Sequence, residues 1–191
     1  MSVVETVGRL ARHEARLFAS LALWLARRTQ GTAGGRGFGY TRGQGATTAG
    51  LVFVCVVETI GVSVMLRDTA AAHDVLLVLD IYTVLFVVGL HAACVVRPHV
   101  LTSQALRVRY GAHVDLRIPL DAIAAVRRAT RMTHEPAEGV LNLAVGSQTS
   151  VELELAEPVT HRSFLGRPRQ VSVVRLHADD PAGLVRCLMP R

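Results

Sequence analysis

The sequence contains no lysine, so all 21 of its Lys and Arg positions are arginine. A G+C-rich coding sequence produces such a bias as readily as a need for guanidinium chemistry, and we therefore interpret these residues simply as positive charge. Cysteine is also scarce: there are three, and Cys55 and Cys94 lie inside apolar runs. Their positions predict neither a disulfide framework nor a cysteine metal site.

Catalytic and nucleotide-binding motifs are missing as well. The chain has no nucleophile elbow, no glycine-rich nucleotide fingerprint and no HExxH motif. Aromatic residues make up 5% of the chain, and its basic stretches lack the interleaved aromatics of a nucleic-acid surface, although the isoelectric point is about 10.2. The sequence therefore predicts a protein that is not an enzyme, needs no cofactor or metal, and binds no nucleic acid.

Apolar residues are abundant, at 50% of the chain with a mean hydropathy of +0.35, which makes membrane insertion the first hypothesis. The first residues lack the compact apolar run and cleavage site of a secretory signal, so we expect this segment to be retained. Large apolar side chains recur there at helical spacing, at Val3, Val7, Leu10, Leu17, Leu21 and Trp24. Residues 1–30 are predicted to form an amphipathic helix that lies on an anionic membrane surface, forms a dimer seam, or packs on its own protein.

Residues 31–45 contain seven glycines and almost no apolar bulk. Such a composition leaves little to drive folding and predicts a flexible linker. A phosphate-binding loop is a poor alternative, because no P-loop lysine follows and no strand precedes the glycines.

Two apolar stretches follow, at residues 46–66 and 75–96, and each is close to the ~20 residues that a helix needs to cross a bilayer. The segment before them carries seven Arg against two Glu, a net charge of +5, whereas the short loop between them carries one Arg against two Asp, a net charge of −1. The positive-inside rule then predicts a transmembrane hairpin over residues 46–96 in the inner (plasma) membrane, with both termini cytoplasmic.

The period of the pattern changes after Arg97. Apolar and polar residues alternate in ALRVRYG, LRIPL, VLNLAVG, SVELELAEP and VSVVRLHA, which predicts strands of an antiparallel sheet. The final DDPAGLVRCL predicts a helix capped by Asp179 or Asp180, with Pro181 in its first turn. The expected fold class is α+β, with a cytoplasmic domain over residues 97–191.

Residues 101–127, LTSQALRVRYGAHVDLRIPLDAIAAVR, resemble the opening strands of bacterial pleckstrin-homology-like (bPH2-type) domains attached to membrane spans. The resemblance continues through the late strands and the final helix, and it implies a PH-like barrel or sandwich closed by one carboxy-terminal helix. An Arg-rich amino terminus, two spans and this domain together resemble membrane proteins of actinobacteria, and the resemblance brings no activity with it. Inositol phosphates bind some PH domains near the first hairpin, but LTSQAL has no basic residue there.

Three ionisable side chains interrupt the apolar stretches: Glu58 in the first, and Asp80 and His91 in the second. Counted from the connecting loop, Glu58 and Asp80 differ in depth by about 4 to 5 Å, so the two carboxyls are expected to meet across the hairpin and share a proton. Structural packing, a proton or ion relay, and a contact to lipid or a partner all remain open for this group.

Two basic clusters in the carboxy-terminal domain are candidates for contact with anionic headgroups or a partner: Arg127, Arg128 and Arg131, and Arg162, Arg167 and Arg169. Solvated loop charge is the alternative. The sequence as a whole predicts a membrane-anchored scaffold or interaction module. Its expected partners are membrane lipid and a membrane or cytoplasmic protein, and a homo-oligomer is a further possibility. An oligomeric transport or proton-coupled subunit that uses Glu58, Asp80 and His91 is the alternative function.

Overall fold

The computed structural model describes residues 3–67, 69–163 and 168–189 of the chain. Four helices and eight strands make up this part, which is an α+β protein, as predicted. The helices are α1 (Val3–Leu25), α2 (Gln44–Met65), α3 (Ala70–Val96) and α4 (Pro181–Leu188). The strands are β1 (Arg36–Phe38), β2 (His99–Leu101), β3 (Ala105–Tyr110), β4 (Val114–Pro119), β5 (Ile123–Arg131), β6 (Val140–Leu143), β7 (Thr149–Arg162) and β8 (Pro168–Leu176).

The two long apolar helices confirm the predicted stretches, with somewhat different ends. Helix α2 begins two residues earlier than expected, and α3 begins at Ala70 because the Ala-rich segment after Thr69 continues the helix instead of forming a loop. Each is long and apolar enough to cross a membrane. The helices lie side by side, and the turn between them is correspondingly shorter than the eight residues expected from the sequence.

The strands form two four-stranded sheets that share one hydrophobic core. The first has the order β1-β2-β3-β4 and is antiparallel throughout, and the second has the order β5-β7-β8-β6. Leu106 and Ile118 from the first sheet meet Leu153 and Val174 from the second, and Leu184 of α4 completes the core. Among the described residues the two sheets do not close into a barrel.

The prediction of purely antiparallel pairing is wrong at one place, because β6 pairs with β8 in parallel. Parallel pairing requires a long connection between the two strands, and the 14-residue β7, which pairs with β8 on the side away from β6, supplies most of it. The carboxy-terminal helix agrees closely with its prediction. Pro181 occupies its first turn, and Asp180 caps it by accepting a hydrogen bond of 2.8 Å from the Gly183 N–H.

The prediction of a flexible linker over residues 31–45 is wrong, because this segment contains β1 and is built into the first sheet. Strand β1 pairs with β2 from Arg36 opposite Leu101 to Phe38 opposite His99. Its glycines allow close approach of neighbouring backbone: a Cβ at Gly35 would lie 2.7 Å from the Leu101 carbonyl oxygen. Glycine is therefore used here for tight packing rather than for mobility.

Tyr40 fastens this segment to the domain and is 1% exposed. Its ring stacks on His99 with 4.7 Å between centroids, and its hydroxyl accepts a hydrogen bond of 3.0 Å from the Gly111 N–H. Two residues later, the Arg42 N–H donates to the Asp179 carboxylate at 2.8 Å. The chain on both sides of the hairpin is thus fixed to the sheet domain.

Helix α1 packs against α3 and is not separate from the rest of the protein. Leu17 is 2% exposed and lies against Gly89 and Ala93 of α3, with Ala112 of the β3–β4 turn beside them. Of the three arrangements left open by the sequence, packing on its own protein is therefore present.

Replacing Tyr40 with Phe removes the acceptor of the Gly111 N–H and leaves a buried donor unpaired. We expect a loss of about 1 to 3 kcal/mol in unfolding free energy for this change, and about 3 to 5 kcal/mol for Tyr40→Ala, which also empties the ring site. Thermal or denaturant unfolding of the purified protein measures both. Unchanged stability in Tyr40→Phe would show that Gly111 reaches another acceptor.

A fall in pH should destabilise the same contact region, because it protonates the buried ring of His99. Burial lowers the pKa of His99 to about 4, against 6.5 for an exposed histidine, although a hydrogen bond with the His177 carbonyl opposes the effect. Because the folded-state pKa lies below the unfolded one, the neutral ring stabilises the fold above about pH 6.5. This contribution, about 3 kcal/mol, is lost as the pH falls from 6.5 to 4.

The pH dependence of the unfolding midpoint tests this expectation. The His99→Gln variant should start less stable but lose less of its stability between pH 7 and pH 4 than the parent. The matched His73→Gln variant, at the start of α3, should keep the parent's slope. A parent-like slope in His99→Gln would assign the effect to other histidines.

Candidate functional site

The three ionisable residues of the hairpin do not come together. Glu58 lies on the exposed surface of α2, and Asp80 is half-buried in a groove between the helices that Val56 and Thr59 also line. The part of the chain that the structure describes shows no hydrogen bond or ion pair between the two carboxyls. His91 follows Asp80 by eleven residues, about 16 Å along the helix axis. The expected pairing of Glu58 with Asp80 is therefore not among the contacts of the folded chain.

A different carboxylate has a partner on α3. The Tyr82 hydroxyl donates a hydrogen bond to the carboxylate of Glu14, which lies on α1. The sequence carried a signal for this contact, because Glu14 interrupts the apolar spacing of the amino-terminal helix at the point where that helix crosses α3. This bond and the packing of Leu17 hold α1 against the second apolar helix.

His91 lies at the edge of a cavity of about 280 Å³ between the hairpin and the β3–β4 turn. The Thr48 hydroxyl is 3.4 Å from His91 Nδ1, and the ring meets Trp24 of α1 edge to face at 6.3 Å between centroids. Cys94 and His113 line the same cavity. Among the described residues, no three His, Cys, Asp or Glu side chains are arranged to hold a metal ion.

Arg127, Arg128 and Arg131 lie on strand β5, and not in the solvated loop that the sequence left open as the alternative to headgroup or partner contact. The reason is a buried acid on the neighbouring strand: Glu152 of β7 is 2% exposed and opposes Arg127 in the sheet register. Arg127 Nε donates to Glu152 Oε1 at 2.8 Å, and Arg131 Nε lies 3.2 Å from Oε2. Arg127 and Arg131 therefore bind a buried carboxylate of the same sheet.

Arg175 of β8 completes this ion-pair network, with Nε 2.6 Å from Glu152 Oε2. Burial alone would raise the pKa of Glu152, but the hydrogen bonds from Arg127 and Arg175 outweigh it and lower the pKa. The Glu152 carboxylate therefore stays ionised and links three strands of the second sheet. Arg128 remains exposed and accessible to a partner.

The second predicted cluster is dispersed. Arg162 ends β7 and is exposed, whereas Arg169 of β8 donates a hydrogen bond of 2.6 Å to the Ala137 carbonyl. Arg167 lies outside the described residues. Of the five predicted arginines among the described residues, Arg128 and Arg162 are thus the exposed pair for which no side-chain hydrogen bond or ion pair is present within that part of the chain.

Sequence reasoning missed two buried ionisable residues of the first sheet, His99 and Arg109. Arg109 is 4% exposed, and the structure places it beside His99, whose Nδ1 accepts the Arg109 N–H at 3.1 Å. In the sequence, Arg109 is one of the polar residues that alternate along a strand, and this pattern predicts exposure.

Comparison of the chain with protein-family models, with curated proteins and with solved structures gives no match.

Proposed function

We propose that this chain is a non-enzymatic membrane protein that holds a PH-like sheet domain at the cytoplasmic face of the inner membrane as an interaction module for a protein partner. The observation that carries this proposal is the surface of α2. Not one residue of this 22-residue helix is buried. The two sheets and the single carboxy-terminal helix support the PH-like assignment.

The exposed surface of the hairpin is far more apolar than the surface of a typical soluble protein. The mean hydropathy of the two helices is 2.0 and 2.2, and apolar side chains on α2 are widely exposed, including Phe53, Val57, Ile60 and Val64. Monomeric soluble proteins rarely expose an apolar patch that covers a whole helix, so this surface requires lipid or another apolar partner. A length of about 20 residues favours a crossing of the bilayer.

Charge gives the orientation. Arginine is concentrated before α2, and Arg97 follows α3, whereas residues 67–74 at the closed end of the hairpin carry one Arg against two Asp, a net charge of −1. Helix α1 adds support, because Arg12 and Arg16 accompany exposed Leu10, Phe18 and Trp24. A helix with this composition is suited to the boundary between headgroups and acyl chains.

The rigid attachment of the domain favours an interaction module over a transport subunit. Two helices enclose no pathway, and Glu58, Asp80 and His91 lie apart rather than in a chain of proton carriers. The sheet domain instead sits at a fixed height against α3 and presents exposed charge, including Arg128 and Arg162. Exposed charge on a domain held in a fixed position can steer and orient a protein of complementary charge.

Reporter fusions test the topology. Alkaline phosphatase, which is active only outside the cytoplasm, should be active when fused after Arg67 and inactive when fused after Arg191, because the turn lies outside and the sheet domain inside. A fluorescent protein that folds only in the cytoplasm should give the opposite result. Phosphatase activity at the carboxy terminus would contradict the proposed orientation.

Glu58 variants separate the proposed function from proton transport. Because Glu58 makes no hydrogen bond or ion pair within the described chain, Glu58→Leu should unfold in detergent at no lower temperature than the parent. Removal of a mid-bilayer charge should also make insertion easier, since such a charge costs ~2.5 to 3.5 kcal/mol on insertion scales.

The conservative Glu58→Gln variant and the matched Asp80→Leu variant complete this test. In vesicles, the parent and Glu58→Gln should show the same proton permeability as protein-free vesicles. A proton flux in the parent that Glu58→Gln abolishes would establish the transport function instead. Destabilisation by both Glu58→Leu and Asp80→Leu would restore the carboxyl pair expected from the sequence.

A further inference from the structure

Helix α2 carries an acidic side chain on its uncovered surface. Glu58 is exposed and lies seven residues before Met65, the last residue of the helix, which places it about 10 Å along the axis from that end. Within the part of the chain that the structure describes, its carboxylate makes no hydrogen bond or ion pair. In the proposed membrane placement, this carboxylate is at a level inside the hydrocarbon.

The direction of Glu58 is unusual for such a residue. Ionisable side chains within membrane spans almost always face the interior of a helix bundle or a water-filled cavity, because an unpaired charge in hydrocarbon is costly. Helix α3 packs on another side of α2, where Thr48 contacts His91 and Thr59 lines a groove with Asp80. Thr59 is about 100° around the helix from Glu58. The carboxylate therefore faces a position that is open to a further helix.

The residues around Glu58 have the spacing of a helix-packing surface. They follow one another at alternating intervals of four and three, which is the heptad pattern of two helices that pack along their length. We call them the α2 seam, and all six are exposed: Thr47, Leu51, Val54, Glu58, Gly61 and Met65. Apart from Glu58 and Thr47, the seam offers only apolar contact.

Gly61 leaves room beside the carboxylate. A Cβ at this position would meet no atom within 4 Å, so packing within the described chain does not require glycine there. Small residues are enriched where transmembrane helices pack, because they let two backbones approach closely. Glycine one turn from Glu58 therefore gives the side chain of a neighbouring helix access to the carboxylate.

A second copy of this chain does not supply the missing positive charge. Neither apolar helix contains Arg or Lys. The two histidines of α3 lie at other levels, since His73 is near the start of the helix beside Asp74, and His91 is level with Thr48, ten residues from Glu58. Two copies in the same orientation would bring two Glu58 carboxylates to one level, where both cannot comfortably be ionised.

We propose that the α2 seam binds a transmembrane helix of another membrane protein, and that this helix carries an arginine or lysine at the level of Glu58. The ion pair neutralises two charges that are each costly in hydrocarbon, while the apolar seam residues pack around it. This inference rests on the proposed function, because it needs the hairpin to cross the membrane. It names a partner for the hairpin in addition to the partner of the sheet domain.

Synthetic transmembrane peptides test the proposal. The full-length protein, with a donor dye at its carboxy terminus, is reconstituted in phosphatidylcholine vesicles, and energy transfer to acceptor-labelled Leu/Ala peptides of about 20 residues is measured. One peptide has a single arginine at the level of Glu58, and the other has leucine there. We expect the arginine peptide to associate about tenfold more tightly. Equal association of the two peptides would overturn the proposal.

Variants assign the preference to the α2 seam. Glu58→Leu should abolish it, whereas Asp80→Leu should keep it, because Asp80 faces the groove. Gly61→Leu should weaken binding of the arginine peptide severalfold by filling the space beside the carboxylate. The matched Gly50→Leu variant should leave binding unchanged, since Gly50 is equally uncrowded but lies outside the seam. Equal weakening by the two glycine variants, or loss of the preference in Asp80→Leu alone, would contradict the proposed surface.

Two further measurements separate the remaining outcomes. Energy transfer between donor- and acceptor-labelled copies of the full chain, if Glu58→Leu removes it, would place a second copy on the seam and refute the hetero-partner. Release of the protein from membranes by alkaline carbonate would show that it is not embedded, and the proposed function and this inference would then fail together. An embedded protein without preference for the arginine peptide refutes the inference alone.

Discussion

The pairing of β1 with β2 is the constraint on which the rest of the structure depends. The two strands are neighbours in the sheet, yet the whole hairpin of α2 and α3 lies between them in the chain. The hairpin is therefore an insertion into the sheet domain rather than an anchor that precedes it. Because neighbouring strands are only about 4.8 Å apart, both ends of the hairpin leave the domain at nearly the same place.

Burial of Tyr40 makes this arrangement rigid. The ring lies between His99 and Tyr110, so the strand that enters the hairpin and the strand that leaves it share one aromatic contact. Helix α1 adds a third attachment through Leu17 and the bond from Tyr82 to Glu14. A domain fixed in this way keeps one face toward the ends of the helices.

The sequence predicted those helices and strands that have a local signal of their own, such as apolar periodicity or a capping residue. The apolar stretches, the alternating strands β3, β4, β7 and β8, and the capped helix α4 each carry their own signal in sequence. Strand β1 carries none, because it has three residues among glycines and is stabilised by its partner β2. Strand β5 was also missed: its Ala and Arg residues resemble a polar loop until Glu152, 25 residues away from Arg127, supplies the opposing charge.

The candidate site was harder to predict because direction around a helix matters as much as depth. Depth alone brought Glu58 level with Asp80, but the groove that Asp80 faces is lined by Val56 and Thr59 instead. Successive residues are about 100° apart around a helix, so Glu58 points away from a groove that Thr59 lines. The parallel pairing of β6 and β8 is likewise set by the tertiary fold and has no local signal.

Arg109 shows why an alternating strand can still contain a buried charge. The outer face of β3 would be open to water in an isolated sheet, as its sequence suggests. In this fold the segment before β1 covers that face, because the Gln30 carbonyl binds Arg109 and the Gln30 N–H donates to the Val96 carbonyl at the end of α3. The same contacts that bring the hairpin to the sheet thus bury the arginines. Positive charge is consequently concentrated at the end of the apolar helices.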